Sequence, residues 1–429
     1  MVGCAPVKDI KQDESSMTRR TRVSPWVVLP VLLVCAAASW KSTGDDLHRY
    51  FAYANATLGR PFDNVYVHTP ATSRPLVPYR DFLVEYPPGF FLAALPPALL
   101  TTNEPAYEAL FEALMAACLA GALWCCVRMS SELGARLDAS ELMIWGLVSV
   151  AALGKVVFQR YDALVALLVC VMCWATVVRR PVALGLAAGA GAAVKFVPLL
   201  AFVLCGIYLV RERRGREAVR AAVVAMLTGL MILAPVILSG GSATSGLIQV
   251  LRYHLDRPLE FESSAAAVLG LWHAVDPQSS AVVYSYGSGN VVGRYANAAI
   301  EVSTLLLIGI VTLVCVRAWR ALAADRPRSA RVRILVVSTT TVLAVVIAFG
   351  KVSSLQYLLW LTPLGLLASL AARDRPALLM LIGTLTLAQI VFPLSSAAAE
   401  SMHPWPYALV LARNAVLLAW AWRTNAVPT

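Results

Sequence analysis

The sequence predicts an all-α polytopic membrane protein of about twelve helices with two long extracytoplasmic loops. Three observations make that prediction. The chain is 59% hydrophobic and only 14% charged, with a mean hydropathy of +0.69, whereas a water-exposed surface needs roughly 25% charge. Apolar runs of membrane-spanning character recur from one end of the chain to the other, and arginine concentrates in alternate connections between them. Such a composition excludes a soluble globular enzyme, a disordered protein and a nucleic-acid-binding module. The net charge of +11 therefore reads as membrane topology and attraction to anionic headgroups, with no nucleic-acid partner implied.

A span takes about twenty apolar residues, fewer where helices are short or broken inside a bundle. Runs of this kind lie near residues 25–40, 106–127, 141–158, 162–178, 181–194, 196–210, 218–239, 297–316, 332–350, 354–372, 377–393 and 405–422. With the N-terminus inside, the inner segments collect Lys8, Lys11, Arg19, Arg20 and Arg22, then Arg128 and Arg136, Arg179 and Arg180, the run from Arg211 to Arg220, the group from Arg317 to Arg333, Arg373 and Arg375, and Arg423. This is the positive-inside pattern. It implies a plasma-membrane protein with a cytoplasmic N-terminal tail (1–24), one transmembrane domain (25–423) and a cytoplasmic C-terminal tail (424–429). The two long outer loops, 41–105 and 240–296, carry mixed charge.

Three segments need separate treatment. Residues 88–100 are apolar but too short to span and contain Pro96 and Pro97, so they are expected to form a re-entrant or interfacial helix. A single span over 181–210 would put Arg180 and Arg211 on opposite sides; two short helices meeting at Lys195 on the outer side satisfy the charge rule. Ala36-Ala-Ala38 resembles a signal-peptidase site, which leaves a cleaved leader as the alternative to a first span. Cys4 sits in the tail and the other eight cysteines lie in apolar runs, the placement of small core hydrophobes rather than of exported disulfides or metal ligands. No internal repeat stands out, which disfavours transporters built from duplicated halves.

With this topology every histidine and most carboxylates outside the N-terminal tail fall on the outer side, where acid–base chemistry would have to occur. No GxxxxGK[ST] loop is present, and the inner loops offer arginine with almost no histidine. Directly after the first run comes Gly44-Asp-Asp-Leu-His-Arg-Tyr50. Either aspartate is a candidate proton acceptor; the plainer reading is a helix start, where carboxylates are favoured by the dipole. Asp81-Phe-Leu-Val-Glu-Tyr-Pro-Pro88 leads into the short apolar helix, with a prolyl turn as its plainer reading.

Cationic or polar clusters sit at outer helix ends: Arg160-Tyr-Asp162, Lys195-Phe-Val-Pro198 and Lys351-Val-Ser-Ser-Leu-Gln-Tyr357. Each alone is a snorkelling lysine or an interfacial aromatic belt, as Tyr357 and Trp360 suggest; together they suit an anionic headgroup. In the second loop Arg257 is a phosphate-binding candidate, with Glu262 to orient it or to contact a sugar hydroxyl, or else both belong to local salt bridges. His403-Pro-Trp-Pro406 offers an aromatic face for a sugar or for the membrane interface. Arg413 and Lys155 are the main ionisable residues near span interiors, and neither has an obvious carboxylate partner in the sequence.

Taken in order, these elements resemble the GT-C superfamily of membrane glycosyltransferases. They are an acidic Asp-Leu-x-x-Tyr after the first helix, Glu85-Tyr-Pro-Pro88, Arg160-Tyr-Asp162, Lys195 with Pro198, the stretch from His254 to Ser263, and Lys351-Val-Ser-x-x-Gln-Tyr with Trp360 and Pro363. The pattern is most similar to glycosyltransferase family 87, the polyprenol-phosphate-mannose-dependent α-mannosyltransferases. The resemblance implies a GT-C transmembrane fold, a lipid-linked sugar donor and a glycolipid or lipid-linked glycan acceptor at the outer leaflet. Asp46 falls on the Asp-Leu-x-x-Tyr position and is the implied catalytic carboxylate, with the adjacent Asp45 as the alternative. Lys195, Arg257 and Lys351 become donor-phosphate candidates. Tyr50, Glu85, Tyr86, Asp162, His254, Glu262, Gln356 and His403 become substrate-binding candidates.

Transfer from a sugar phosphate needs one base for the acceptor hydroxyl and no general acid, because the leaving group is already a phosphate; this implies inversion. No cofactor is implied, and the outer carboxylates lack tight metal-ligand spacing. A secondary transporter or lipid flippase, the rival from another class, would carry paired charges inside its spans. A GT-C enzyme using polyprenyl-phospho-arabinose or -glucose is the rival within enzymes. Sidedness is checked by cysteine labelling: thiols introduced at Ser242 and Ser329 are expected to react from opposite faces of intact membranes, and labelling of both from one face overturns the assigned topology.

Overall fold

The computed structural model of the chain describes residues 46–70, 74–134, 137–239 and 243–426. The first run (25–40), the tail before it, Asp45, Ser242 and the last three residues lie outside the described residues. The other eleven apolar runs each coincide with a helix or a pair of short helices.

The first outer loop folds into α1 (Asp46–Leu58), α2 (Asn64–Val67), a 3-10 turn over Pro88–Phe90 and α3 (Phe91–Leu100). Pro96 and Pro97 lie inside α3, which runs through both. So short a helix has few internal amide bonds to lose. Then follow α4 (Glu104–Ser130), α5 (Ala139–Leu153), α6 (Val156–Gln159), α7 (Asp162–Val177), α8 (Pro181–Val194), α9 (Pro198–Arg211) and α10 (Gly215–Leu238). Helix starts follow local chemistry. Asn103 and Asp138 cap α4 and α5 by accepting the Ala106 and Ser140 amides, while α8 and α9 open on a proline whose missing N–H is not needed there. The chain breaks at Lys195 between α8 and α9, as two short helices require.

The second loop holds α11 (Ala243–Asp256), α12 (Ser264–His273) and a small antiparallel sheet of β1 (Leu259–Glu260), β2 (Ser280–Ser285) and β3 (Ser288–Gly293) in the order β1-β3-β2. The sequence reading anticipated no strands. The hairpin turns at Tyr286-Gly287, both with positive φ, and valine-rich residues flank it, a two-residue hairpin signal. The rest is helical: α13 (Ala296–Ala321), α14 (Arg328–Phe349), a 3-10 stretch over Leu355–Trp360, α15 (Thr362–Ala371), α16 (Arg375–Gln389), α17 (Ser396–Glu400) and α18 (Pro404–Ala426). Among the described residues, five helical segments are long and apolar enough to cross a membrane: Glu104–Leu133, Gly215–Leu238, Ala296–Ala321, Arg328–Phe349 and Arg375–Leu394. Shorter apolar helices fill the bundle between them, so the fold is that of a polytopic membrane protein.

Small residues let the backbones approach. A Cβ at Gly189 of α8 would lie 2.4 Å from the Ala225 carbonyl oxygen of α10, and one at Gly89 would lie 2.4 Å from the Ala193 backbone. The first contact welds α8 to α10; the second seats the 3-10 turn before α3 on the end of α8.

Connections separate into two groups. At one end Arg328 donates to Glu132 (2.7 Å) and to the Val177 carbonyl (2.9 Å), Arg214 to the Thr176 carbonyl (3.0 Å), Arg331 pairs with Glu212, and Arg423 with Asp374 (2.8 Å). These contacts gather the arginine-rich connections. The other end collects α1, the breaks at Arg160 and Lys195, the sheet and the turn after α14.

A buried polar clip joins that second end to α18. Arg413 pairs with Glu262 (3.1 Å) and also donates to the Glu262 carbonyl (2.7 Å) and Ser353 Oγ (3.1 Å), while Asn414 donates to Ser264 Oγ (2.7 Å). Arg413 therefore has the carboxylate partner that the sequence did not reveal, whereas Lys155 is exposed at the break between α5 and α6. Arg413→Met leaves the buried Glu262 carboxyl without its partner, which is expected to cost about 3–5 kcal/mol. Thermal melting in detergent should show a lowered midpoint for R413M and recovery of most of it in R413M/E262L. Equal midpoints for wild type and R413M would remove the clip from the account of stability.

Candidate active site

At the end of the bundle opposite the arginine-rich connections lies a cavity of about 360 Å³. Its walls come from α1, the Glu85-Tyr86 turn, the α6–α7 and α8–α9 breaks, α11, the hairpin and the 3-10 stretch after α14.

Asp46 is the first residue of α1 and is 8% exposed. Its carboxylate faces the cavity. Arg160, in the extended break before α7, pairs with one oxygen, and the Tyr86 hydroxyl donates to the other at 3.3 Å. One turn further along α1, Tyr50 packs edge-on against Tyr86 (5.6 Å) and Phe90 (4.9 Å), and Tyr161 closes the aromatic group against Tyr86 at 5.5 Å. These rings fix Tyr86 and so the direction of its hydroxyl.

A second charge pair sits alongside. Lys195 Nζ lies 2.6 Å from Asp162 Oδ1, and the Trp360 indole donates to the same oxygen at 2.7 Å. The ammonium is also 4.8 Å, 4.7 Å and 5.0 Å from the ring centres of Tyr161, Tyr357 and Trp360, the last two stacked on each other at 4.2 Å. Lys195 thus does not snorkel outward. Tyr357 and Trp360 form no peripheral belt here but wall the lysine in, with Trp360 fully buried.

The remaining walls repeat the pairing. Arg49 binds Glu85, whose other oxygen lies 2.8 Å from the Tyr253 hydroxyl, itself 2.9 Å from the Tyr286 carbonyl. Arg257 pairs with Glu260 (3.3 Å) and donates to Ser288 Oγ (2.8 Å). Glu260 in turn accepts from the Ser353 amide (2.9 Å) and the Ser354 hydroxyl (2.9 Å), tying β1 to the turn after α14. Six carboxylates line the cavity; Asp46, Glu85, Asp162, Glu260 and Glu262 are each held by a cation, and Glu400, exposed at the end of α17, is the sixth.

Burial by itself raises the Glu85 pKa, but Arg49, with the Tyr86 and Tyr253 hydroxyls close by, outweighs it and holds the carboxyl below the usual glutamate range. Burial, with Arg257 and Lys195 nearby, lowers the His254 pKa, so its imidazole is neutral near pH 7.

Of the residues singled out from sequence, Asp46, Tyr50, Glu85, Tyr86, Asp162, Lys195, His254, Arg257, Glu262 and Gln356 all line this cavity. Two do not. The Lys351 ammonium is taken up by the Leu255 carbonyl at 2.6 Å, and His403 is exposed at the start of α18. Glu262 lines the cavity while its carboxylate is engaged by Arg413. The structure adds Arg49, Arg160, Tyr161, Tyr253, Glu260 and Tyr357 to the walls. Some signal existed for them. Arg160 and Tyr161 adjoin Asp162, and Tyr253 stands one helical turn before Arg257 in α11.

A helical bundle whose one end encloses a cavity of carboxylates and cations beneath a small hairpin is the build of a polytopic membrane protein with a polar site at one end. Residues 82–349 match the family model for Glycosyltransferase family 87, and the chain belongs to that family. It is a membrane glycosyltransferase. Comparison with curated proteins finds no match. The matched span contains Glu85, Arg160, Asp162, Lys195, Arg257 and Glu260, whereas Asp46 and the Gln356-Tyr357 segment lie outside it.

Because the folded pKa of Glu85 is depressed, its stabilising contribution is fully present above the ordinary glutamate pKa and is lost as the pH falls through the lowered value. Melting curves of wild type and E85Q are therefore expected to differ most at neutral pH and to converge below the ordinary glutamate range. A gap that widens on acidification would contradict the Arg49–Glu85 assignment.

Proposed function

We propose that the chain transfers a mannosyl residue from a polyprenyl-phosphate-mannose donor to a lipid-linked glycan acceptor, with inversion and with Asp46 as the general base. The acceptor is a cell-envelope glycolipid, and transfer occurs at the extracytoplasmic face of the plasma membrane. One observation supports this reading above the others: Asp46 shares a single cavity with Arg160, Lys195 and Arg257, so a proton acceptor and the cations that receive a phosphate stand at one opening.

In the reaction the acceptor hydroxyl gives its proton to Asp46 as its oxygen attacks the anomeric carbon. The bond from that carbon to the phosphate oxygen breaks on the opposite face, and the departing phosphate keeps the electron pair. Arg160, Lys195 and Arg257 stabilise the charge gathering on that phosphate. Arg160 holds Asp46 and also feels the field of Asp162. A donor phosphate competes for this guanidinium, and its arrival releases Asp46 to act as a base. The cations of the free cavity are thus each paired within the protein, and donor binding replaces those ion pairs by ion pairs with substrate. Aromatic rings at Tyr50, Tyr86 and Tyr161 supply faces for the sugar, and the apolar helices around the cavity accommodate the polyprenyl chain.

Asp46→Asn is expected to reduce mannosyl transfer in membranes supplied with polyprenyl-phosphate-mannose and lipid acceptor by about 10²–10⁴-fold, the usual worth of a positioned base. Full transfer by D46N with Asp45 intact would move the role to Asp45. Full transfer by D45N/D46N would end the carboxylate-base account.

A further inference from the structure

Of the six carboxylates around the cavity, Glu400 is the one with no cation paired to it among the described residues. It stands exposed at the end of α17, against the β2–β3 hairpin. We propose that Glu400, with Tyr284 and Gly289 of that hairpin, forms a subsite for one neutral sugar ring of the acceptor. The proposal rests on the reading that the chain glycosylates a glycan acceptor.

Hairpin register builds the subsite. Tyr284 of β2 lies directly opposite Gly289 of β3, and such partners point to the same face of a sheet with β-carbons about 5 Å apart. A Cβ at Gly289 would lie 3.8 Å from Glu400 Cγ and 3.4 Å from the side chains of Phe261 and Val282. The stem of Glu400 therefore reaches the face that carries Tyr284. Glycine puts no side chain between the two, so its bare backbone is a floor with a phenol ring on one side and a carboxylate on the other. Tyr284 is 76% exposed, which leaves a ring face open. Phe261 extends the floor, with Phe392 6.4 Å away between ring centres. All five of Phe261, Tyr284, Gly289, Phe392 and Glu400 line the cavity that holds Asp46.

Charge and hydrogen-bonding capacity select the ligand. A carboxylate without a cation offers two acceptor oxygens to neighbouring hydroxyls of a sugar ring and repels a phosphate. Aromatic faces meet the apolar C–H face of the same ring. Tyr407 feels the field of Glu400, but its hydroxyl donates to the Ala399 carbonyl at 2.9 Å and leaves the carboxylate unclaimed. A metal ion fits less well, since no group of three ligating side chains occurs among the described residues. The cavity is thus divided. Arg160, Lys195 and Arg257 serve the phosphate of the donor, and the hairpin side, with its free carboxylate and aromatic faces, serves a polyol.

The test uses the purified full-length protein in lipid nanodiscs, with methyl α-mannobioside and methyl α-maltoside as probes and saturation-transfer NMR titration as the readout. Wild type is expected to bind at least one of the two disaccharides, and E400A to bind it about tenfold more weakly, the worth of a charge-assisted hydrogen bond. Y284A, which removes the ring and keeps the charge, should weaken it as well, and undecaprenyl phosphate should not displace it. In the transfer assay both variants should raise the KM for the acceptor and leave the KM for the donor. Failure of wild type to bind either probe, wild-type affinity in both E400A and Y284A, or displacement by undecaprenyl phosphate would each overturn the subsite. Binding needs no turnover, so disaccharide binding that depends on Glu400 in a protein that transfers no mannose would sink the proposed reaction and sustain the subsite.

Discussion

A charge buried in a weakly polar interior must be matched, and in this protein that constraint shapes one whole end of the bundle. The Lys195–Asp162 pair shows it most directly. Lys195 occupies the break between α8 and α9, Asp162 opens α7, and Trp360 arrives from the segment after α14 to donate to the same carboxylate oxygen. Separated, each of these groups would face a desolvation penalty of several kcal/mol or more. Together they fix the relative positions of three segments distant in sequence, and the aromatic rings around the ammonium exclude the water that would otherwise screen it.

The same logic carries into function. Most charges lining the cavity are matched within the protein, and in the proposed mechanism a donor phosphate exchanges with the carboxylates because it offers guanidinium the same geometry. Arg160 is the hinge of that proposed exchange. It holds Asp46 in the free protein, and the proposed mechanism needs Asp46 as a proton acceptor only once the donor is bound. Arg413 and Glu262 do the opposite work, since their pairing is buried, reinforced by Ser353 and the Glu262 carbonyl, and serves to anchor α18 and the hairpin loop to the helices.

Much of this was legible in the chain before folding. Hydropathy and arginine spacing located eleven helical runs within the described residues, including the awkward pair that meets at Lys195, because both signals are local and survive without knowledge of neighbours. Ten of the chosen site residues fall in one cavity, since polar residues at helix ends on one side of a bundle have few other places to go. The failures have a physical pattern. Lys351 found a carbonyl and His403 found solvent because nothing in their sequence neighbourhood reports which way a side chain points. Trp360 read as a membrane belt because an aromatic at a helix end looks the same from sequence whether it faces lipid or a buried lysine. The hairpin in the second loop was missed although Tyr286-Gly287 between valine-rich strands announced it.

By itself the sequence determined that this chain must be a helical membrane protein with its arginines gathered at alternate connections, for composition and periodicity act through the solvent and need no partner. It also determined which residues had the chemistry for a site. Tertiary structure alone decided the pairings: Asp46 with Arg160 rather than with any neighbour in sequence, Arg257 with Glu260 rather than Glu262, and Arg413 with Glu262 across more than a hundred residues. Electrostatic attraction depends on distance in space, and that distance exists only once the helices have packed.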